Sequence, residues 1–250
     1  MMSEQEKLAK EKICVALDGL SSMEEIKERV LELKDYVGLF KIGLELFTLF
    51  GPPAVELIHS LGGKVFLDLK LHDIPKTVER TAKAISKLPI SYFTIHASGG
   101  FDMMRAARNG VGVEENSAKI IAVTLLTSID SSILSEQLLV SAPLPACIFK
   151  YAKMAEDALL NGVVCSAKDL VGLRSALRPR FIYITPGINL AKDPSCASKV
   201  IDHKRLATPR EAIGAGSSFL VIGRGVVDKP TPEERVKAAA QIVADISLMV

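Results

Sequence analysis

The chain has 250 residues, 48% of them hydrophobic and 24% charged, which is an ordinary globular composition with enough apolar mass to bury a core unaided. A formal net charge of +2, with no Lys/Arg run longer than two residues, argues against nucleic acid or an anionic membrane as partner. No apolar run approaches the roughly 18 residues that span a bilayer, and the polar start MMSEQEKLAKEK lacks a signal-peptide core, so a cytoplasmic protein is expected.

In chain order, residues 1–11 read as a polar N-terminal extension. Eight short apolar, β-branched runs then alternate with amphipathic stretches. The runs are KICVALD (12–18), GLFKIG (38–43), KVFLDLK (64–70), YFTIHAS (92–98), KIIAVTLLTS (119–128), GVVCS (162–166), RFIYITPG (180–187) and SFLVIGR (218–224). Helix starts are signalled by Ser22 before MEEI and by TPEE at 231–234, where a proline and two acids open the first turn. The stretch 129–161 is too long for one helix and is expected to hold two, split around APLPA. Cys14, Cys147, Cys165 and Cys196 lack C-x-x-C spacing and read as reduced thiols.

Strand then helix, eight times, with a mean unit of about 31 residues, predicts an α/β chain folded as a single (β/α)8 TIM barrel over 1–250. A doubly wound open sheet is the competing fold, but no G-x-G-x-x-G follows the first strand; ALDGLSS stands there. In such barrels the active site lies at the C-terminal ends of the strands. The polar residues of these runs gather at those ends: Asp18, Lys41, Asp68 with Lys70, His96, Thr127, Ser166, Thr185-Pro186-Gly187 and Gly223-Arg224.

Side-chain period two puts Asp68 and Lys70 on one face of the third strand and Leu67, Leu69 and Leu71 on the other. The leucines suit the helix-facing side, so the charged pair points into the barrel mouth. Asp73 follows in the loop before a helix that Pro75 opens, and Lys41 stands on the neighbouring strand. Two cations and two anions can hold one another charged, each opposite pair gaining roughly 4 kcal/mol at about 4 Å and an effective dielectric near 20. Lys70 then reads as a protonated ammonium and a general acid. The plainer reading is a structural salt-bridge network. VIGRGV and TPGI, after strands eight and seven, suit a phosphate, with Arg224 able to grip it. The aperiodic segment at about 189–205 reads as a lid beside that phosphate. His96 fits a satisfied strand-end histidine as well as a catalytic one, and His59 and His72 fit structural or surface positions. No metal site is expected, since no histidine or carboxylate pair has ligand spacing and Lys41 and Lys70 would repel a divalent cation.

The series D-x-K-x-x-D-I-P-x-T (68–77), VALD (15–18), HASGG (96–100), VTLLTS (123–128), GVVCSA (162–167), TPGI (185–188) and VIGRGV (221–226) resembles the bacterial branch of the orotidine 5′-phosphate decarboxylase family. D-x-K-x-x-D alone is shared across a wider barrel suprafamily, whereas the ordered series is specific. The resemblance implies decarboxylation of orotidine 5′-monophosphate to UMP in pyrimidine synthesis, without metal or organic cofactor, by a homodimer with shared sites. It implies that Lys41, Asp68 and Lys70 act from one subunit while Asp73, Ile74 and Thr77 reach the partner's site. Lys70 would protonate C6 as carbon dioxide departs, and Asp68 would lie by the substrate carboxylate, either stressing it or holding Lys70. Asp18, Lys41, Asp73 and Thr77 would hold the ribose, Thr127 and Pro186 the base, and Gly223 with Arg224 the phosphate. Two departures stand out: Asn189 replaces the arginine of the usual PGIR, and His203 replaces the glutamine of D-Q-x-R. They imply an altered phosphate grip and a raised KM, with Lys204 or Arg205 as candidates to restore the charge.

Three other activities compete. A metal-dependent sugar-phosphate decarboxylase or aldolase of the same suprafamily would carry an acid where Lys41 stands. A Schiff-base aldolase needs a depressed lysine pKa, which Asp68 and Asp73 oppose. A non-catalytic phosphate-ligand binder would need GRG and TPGI but not the Lys–Asp set.

Overall fold

A computed structural model of the chain describes residues 2–112, 117–188, 190 and 205–250. Eight parallel strands close into one barrel in sequential order: β1 (Ile13–Ala16), β2 (Leu39–Ile42), β3 (Val65–Leu71), β4 (Tyr92–His96), β5 (Lys119–Val123), β6 (Gly162–Val164), β7 (Ile182–Thr185) and β8 (Phe219–Ile222). The open-sheet alternative is excluded by the pairing of β1 with β8, where Ile13, Cys14 and Val15 lie against Leu220, Val221 and Ile222. Each predicted run holds its strand except the third, where β3 runs one residue further to Leu71, and the ladders stop short of several other predicted ends. Asp18, Thr127, Ser166 and Arg224 therefore lie on loops or helix starts beyond their strands.

Around the barrel run α1 (Glu4–Glu11), α2 (Met23–Leu33), α3 (Leu44–Phe50), α4 (Pro52–Ser60), α5 (Pro75–Ile85), α6 (Gly100–Val111), α7 (Leu144–Asp157), α8 (Leu170–Arg174), α9 (Pro209–Ala215), α10 (Arg224–Val227) and α11 (Pro232–Ser247). The N-terminal extension is thus a helix. Ser3 and Glu6 form a reciprocal capping box at its start, and Ala9 is buried. The predicted caps hold, with Ser22 accepting from the Glu25 N–H and Thr231 from the Glu234 N–H. Between β5 and β6 the expected first helix is only a π-helical turn, Ile133–Gln137, and α7 begins inside APLPA.

The core has two layers. A large cluster packs strand faces such as Val15, Leu67, Phe93 and Ile120 against the helices. A small one, Cys14, Leu39, Phe66, Ile121 and Ile184, plugs the barrel itself. Two residues beyond each plug residue the inner face meets the cavity: Ala16, Lys41, Asp68, Val123 and Pro186. An apolar floor and a polar mouth thus follow from period two alone. Cys14, Cys147 and Cys165 are free thiols, and Cys196 lies outside the described residues. No described helix is long and apolar enough to cross a membrane.

Candidate active site

β3 carries the site, and it is not a regular strand. Its register against β4 runs Phe66 to Tyr92 and Leu67 to Phe93, then jumps to Leu71 opposite Ile95. Asp68, Leu69 and Lys70 therefore stand opposite the single residue Thr94. Two extra residues preserve the alternation, so Leu67 and Leu71 keep their side while the bulge re-aims what lies between. Lys70 takes φ +51°, a left-handed conformation that costs a non-glycine residue about 1–3 kcal/mol. Its backbone N–H donates to Thr94 Oγ1 at 2.8 Å, replacing the lost ladder bond.

Above the floor the charges form a chain. Lys70 Nζ donates to Asp68 Oδ2 at 2.7 Å, and Lys41 Nζ lies 3.9 Å from the same oxygen. Lys41 also donates to both oxygens of Asp18, at 2.9 and 3.0 Å. The other oxygen of Asp68 accepts from the Thr94 hydroxyl at 2.9 Å. Lys41 and Asp68 are buried, Lys70 is partly buried and Asp18 is exposed. Asp68 thus stands between the two amino groups, and removing it would leave Lys41 and Lys70 facing each other across a partly dry mouth. The fourth member of the set is Asp18. Asp73, grouped with it by sequence proximity, instead accepts from the Ile74 N–H within its own turn.

These residues line a cavity of about 1290 Å³ that Phe66, Thr127, Pro186, Gly187, Gly223 and Arg224 also line, room for a nucleotide-sized ligand. Asp73, Ile74 and Thr77 do not line it; they lie exposed at the start of α5, with Ile74 at 67% exposure. His96 stacks its ring 5.4 Å from that of His72 rather than reaching the charged chain, and burial first, then His72 and Lys70, pushes its pKa down. Asn189, His203 and Lys204 lie outside the described residues. Arg205 is not free to replace a phosphate-gripping cation, since its Nη1 pairs with Asp169 at 2.7 Å and its carbonyl accepts from Ser166 Oγ. Burial raises the Asp169 pKa, with Arg205 opposing the shift. Among the described residues no group of three or more His, Cys, Asp or Glu is placed to hold a metal.

Sequence reading missed two positions. Thr94 was hidden in an apolar run, although it lies on the inner side with Tyr92 and His96 by period two. Gly43 sits where a Cβ would come within 2.8 Å of Asp18 Oδ1 and 2.9 Å of Lys41 Nζ, so the Asp18–Lys41 pair needs its missing side chain. No local signal marks that closeness.

Fold and site together define a (β/α)8-barrel enzyme with an alternating Asp–Lys–Asp–Lys chain in its mouth. The chain belongs to the orotidine 5′-phosphate decarboxylase / HUMPS family, whose model matches residues 11–239. It is 40% identical over 248 residues to the orotidine 5′-phosphate decarboxylase of Moorella thermoacetica, spanning 96% of this chain and 94% of that one. The enzyme of the same name from Syntrophomonas wolfei is 39% identical over 244 residues, spanning 95% and 98%. The crystal structure of orotidine 5′-phosphate decarboxylase from Lactobacillus acidophilus superimposes with a TM-score of 0.77 at 33% identity, covering 92% of this chain and 98% of that one.

Proposed function

We propose that the protein decarboxylates orotidine 5′-monophosphate to UMP, in the cytoplasm, through the Asp18–Lys41–Asp68–Lys70 chain. The observation that carries the reading is Lys70 Nζ held at 2.7 Å from Asp68 inside the cavity, with Lys41 3.9 Å beyond. Heterolysis of the bond between C6 and the carboxylate leaves the electron pair on C6. The Lys70 ammonium stabilises that charge and then transfers its proton to C6, and the neutral amine regains a proton from water. Asp68 fixes the ammonium and lies by the departing carboxylate. Asp18 and Lys41 hold the ribose hydroxyls, Thr127 and Pro186 flank the base, and Gly223 with Arg224 takes the phosphate. Asn189 and His203 act on the phosphate side, and their departure from the usual residues raises KM.

The protein works as a homodimer in which Asp73, Ile74 and Thr77 complete the partner's site. Their exposure outside their own cavity supports this, as does an apolar Ile74 left in solvent on a single chain. The chemistry needs no metal or organic cofactor. A suprafamily decarboxylase or aldolase that uses a metal would require an acid at the position of Lys41, which here sits against Asp18 and Asp68.

The test is direct. Purified protein in EDTA should deplete the pyrimidine absorbance of orotidine 5′-monophosphate, and Lys70→Ala should lower kcat by at least about 10⁴-fold, the upper range for a positioned proton donor. A folded wild-type protein with no turnover, or turnover abolished by EDTA and restored by a divalent cation, would reject the proposal.

A further inference from the structure

We infer that Thr94 is a positioning residue for the reacting pair, a single hydroxyl that sets both the Lys70 backbone and the Asp68 carboxylate. The inference rests on Lys70 and Asp68 being the reacting groups. Thr94 is fully buried on β4 and is the one residue opposite the β3 bulge. Its Oγ1 accepts the Lys70 N–H at 2.8 Å and donates to Asp68 Oδ1 at 2.9 Å.

Those two bonds use the hydroxyl's acceptor and donor capacity in one direction only. An oxygen lone pair takes the Lys70 N–H, and the single hydroxyl proton goes to the Asp68 carboxylate oxygen. A bulge that turns Lys70 to φ +51° strips its N–H of a ladder carbonyl, and an orphaned buried N–H would let the turn relax. Thr94 holds the turn, and so the root of the Lys70 side chain. The same hydroxyl occupies Oδ1, which leaves Oδ2 as the oxygen facing both Lys70 Nζ and Lys41 Nζ. Asp68 thus has one oxygen anchored to the barrel wall and one presented to the cations. Rotation of its carboxylate, or flattening of the bulge, would carry the ammonium away from C6, while Lys41 stays held on the ribose side by its two bonds to Asp18.

The test compares Thr94→Val, which keeps shape and loses the hydroxyl, with Thr94→Ser, which keeps the hydroxyl, and uses Lys70→Ala as control. Thr94→Val is expected to lose about 10- to 100-fold in kcat, the scale of a misplaced reacting group. Its KM and its UMP affinity should stay within about threefold of wild type, because the remote contacts are intact. Thr94→Ser should recover most of the lost kcat. Wild-type kcat in Thr94→Val, with Lys70→Ala inactive, would overturn the inference while leaving the reacting pair in place. Equal loss in Thr94→Val and Thr94→Ser, tracking a lowered Tm and weakened UMP binding, would also overturn it, by reducing Thr94 to packing. Full activity in Lys70→Ala would instead overturn the reading on which it stands.

Discussion

Two glycines show how differently a single atom matters at different depths. A Cβ on Gly43 would crowd Asp18 Oδ1 and Lys41 Nζ, the tips of two side chains that can swing away. Gly43→Ala should therefore leave Tm nearly unchanged but raise KM about tenfold, equivalent to about 1.4 kcal/mol of lost binding, as steady-state kinetics would reveal. A Cβ on Gly162, in contrast, would drive into the backbone oxygen and Cβ of Ile182 on the adjoining strand, which cannot yield without parting β6 from β7. Gly162→Ala should cost about 1–3 kcal/mol of stability, measured by urea unfolding. Neither consequence is written in the local sequence, because both depend on residues brought close by the closed sheet. Asp68 and Lys70 were legible for the opposite reason. They are charges on one face of an otherwise leucine-rich strand, and period two is a local rule.

At the scale of elements, the barrel's closure is reinforced outside the sheet. Arg235 of α11 donates to Glu32 of α2 through Nε at 2.7 Å and Nη2 at 2.9 Å, with both side chains largely buried and Arg29 adding a bond to the same carboxylate. Removing the guanidinium strands a buried carboxylate, so Arg235→Ala should cost about 3 kcal/mol, the low end for a broken buried pair because Arg29 remains. The hydrogen bond from Arg235 first, with help from Arg29, holds the Glu32 carboxyl below its ordinary 4.5. The folded state then binds fewer protons than the unfolded one below that pH. This contribution is complete above about 4.5 and is lost as pH falls through the lowered folded value. Urea midpoints measured down the acid side should fall less steeply in Glu32→Gln, once its neutral-pH loss is subtracted. Element existence was readable because parallel strands buried on both faces leave continuous apolar runs. Their ends were not, since a ladder stops where its neighbour stops. Nor was the β3 bulge, which is a mismatch between two strands and belongs to neither alone.

The whole molecule joins a robust scaffold to a site that, on the proposed reading, a second copy of the chain completes. An apolar floor of Cys14, Leu39, Phe66, Ile121 and Ile184 supports the charged mouth from below, and the cavity opens above it between the loops after β1, β5, β7 and β8. On the outside, Asp73, Ile74 and Thr77 face away from their own cavity at the start of α5. The D-x-K-x-x-D motif thus points in two directions, its first aspartate and lysine inward and its second aspartate outward. Sequence spacing placed the three together, and only the turn after β3 separates them. A site shared across a two-fold axis makes a quantitative forecast by mixing. Lys70→Ala and Asp73→Ala subunits, each inactive alone, are unfolded together, refolded at equal ratio and assayed with orotidine 5′-monophosphate. Half the dimers formed at random are hybrids, and each hybrid holds one site with an intact Lys70 and an intact partner Asp73, so about a quarter of wild-type activity should return. Hybrids that form, as native mass spectrometry would show, yet stay inactive would contradict the account, as would a Lys70→Ala protein that turns over on its own.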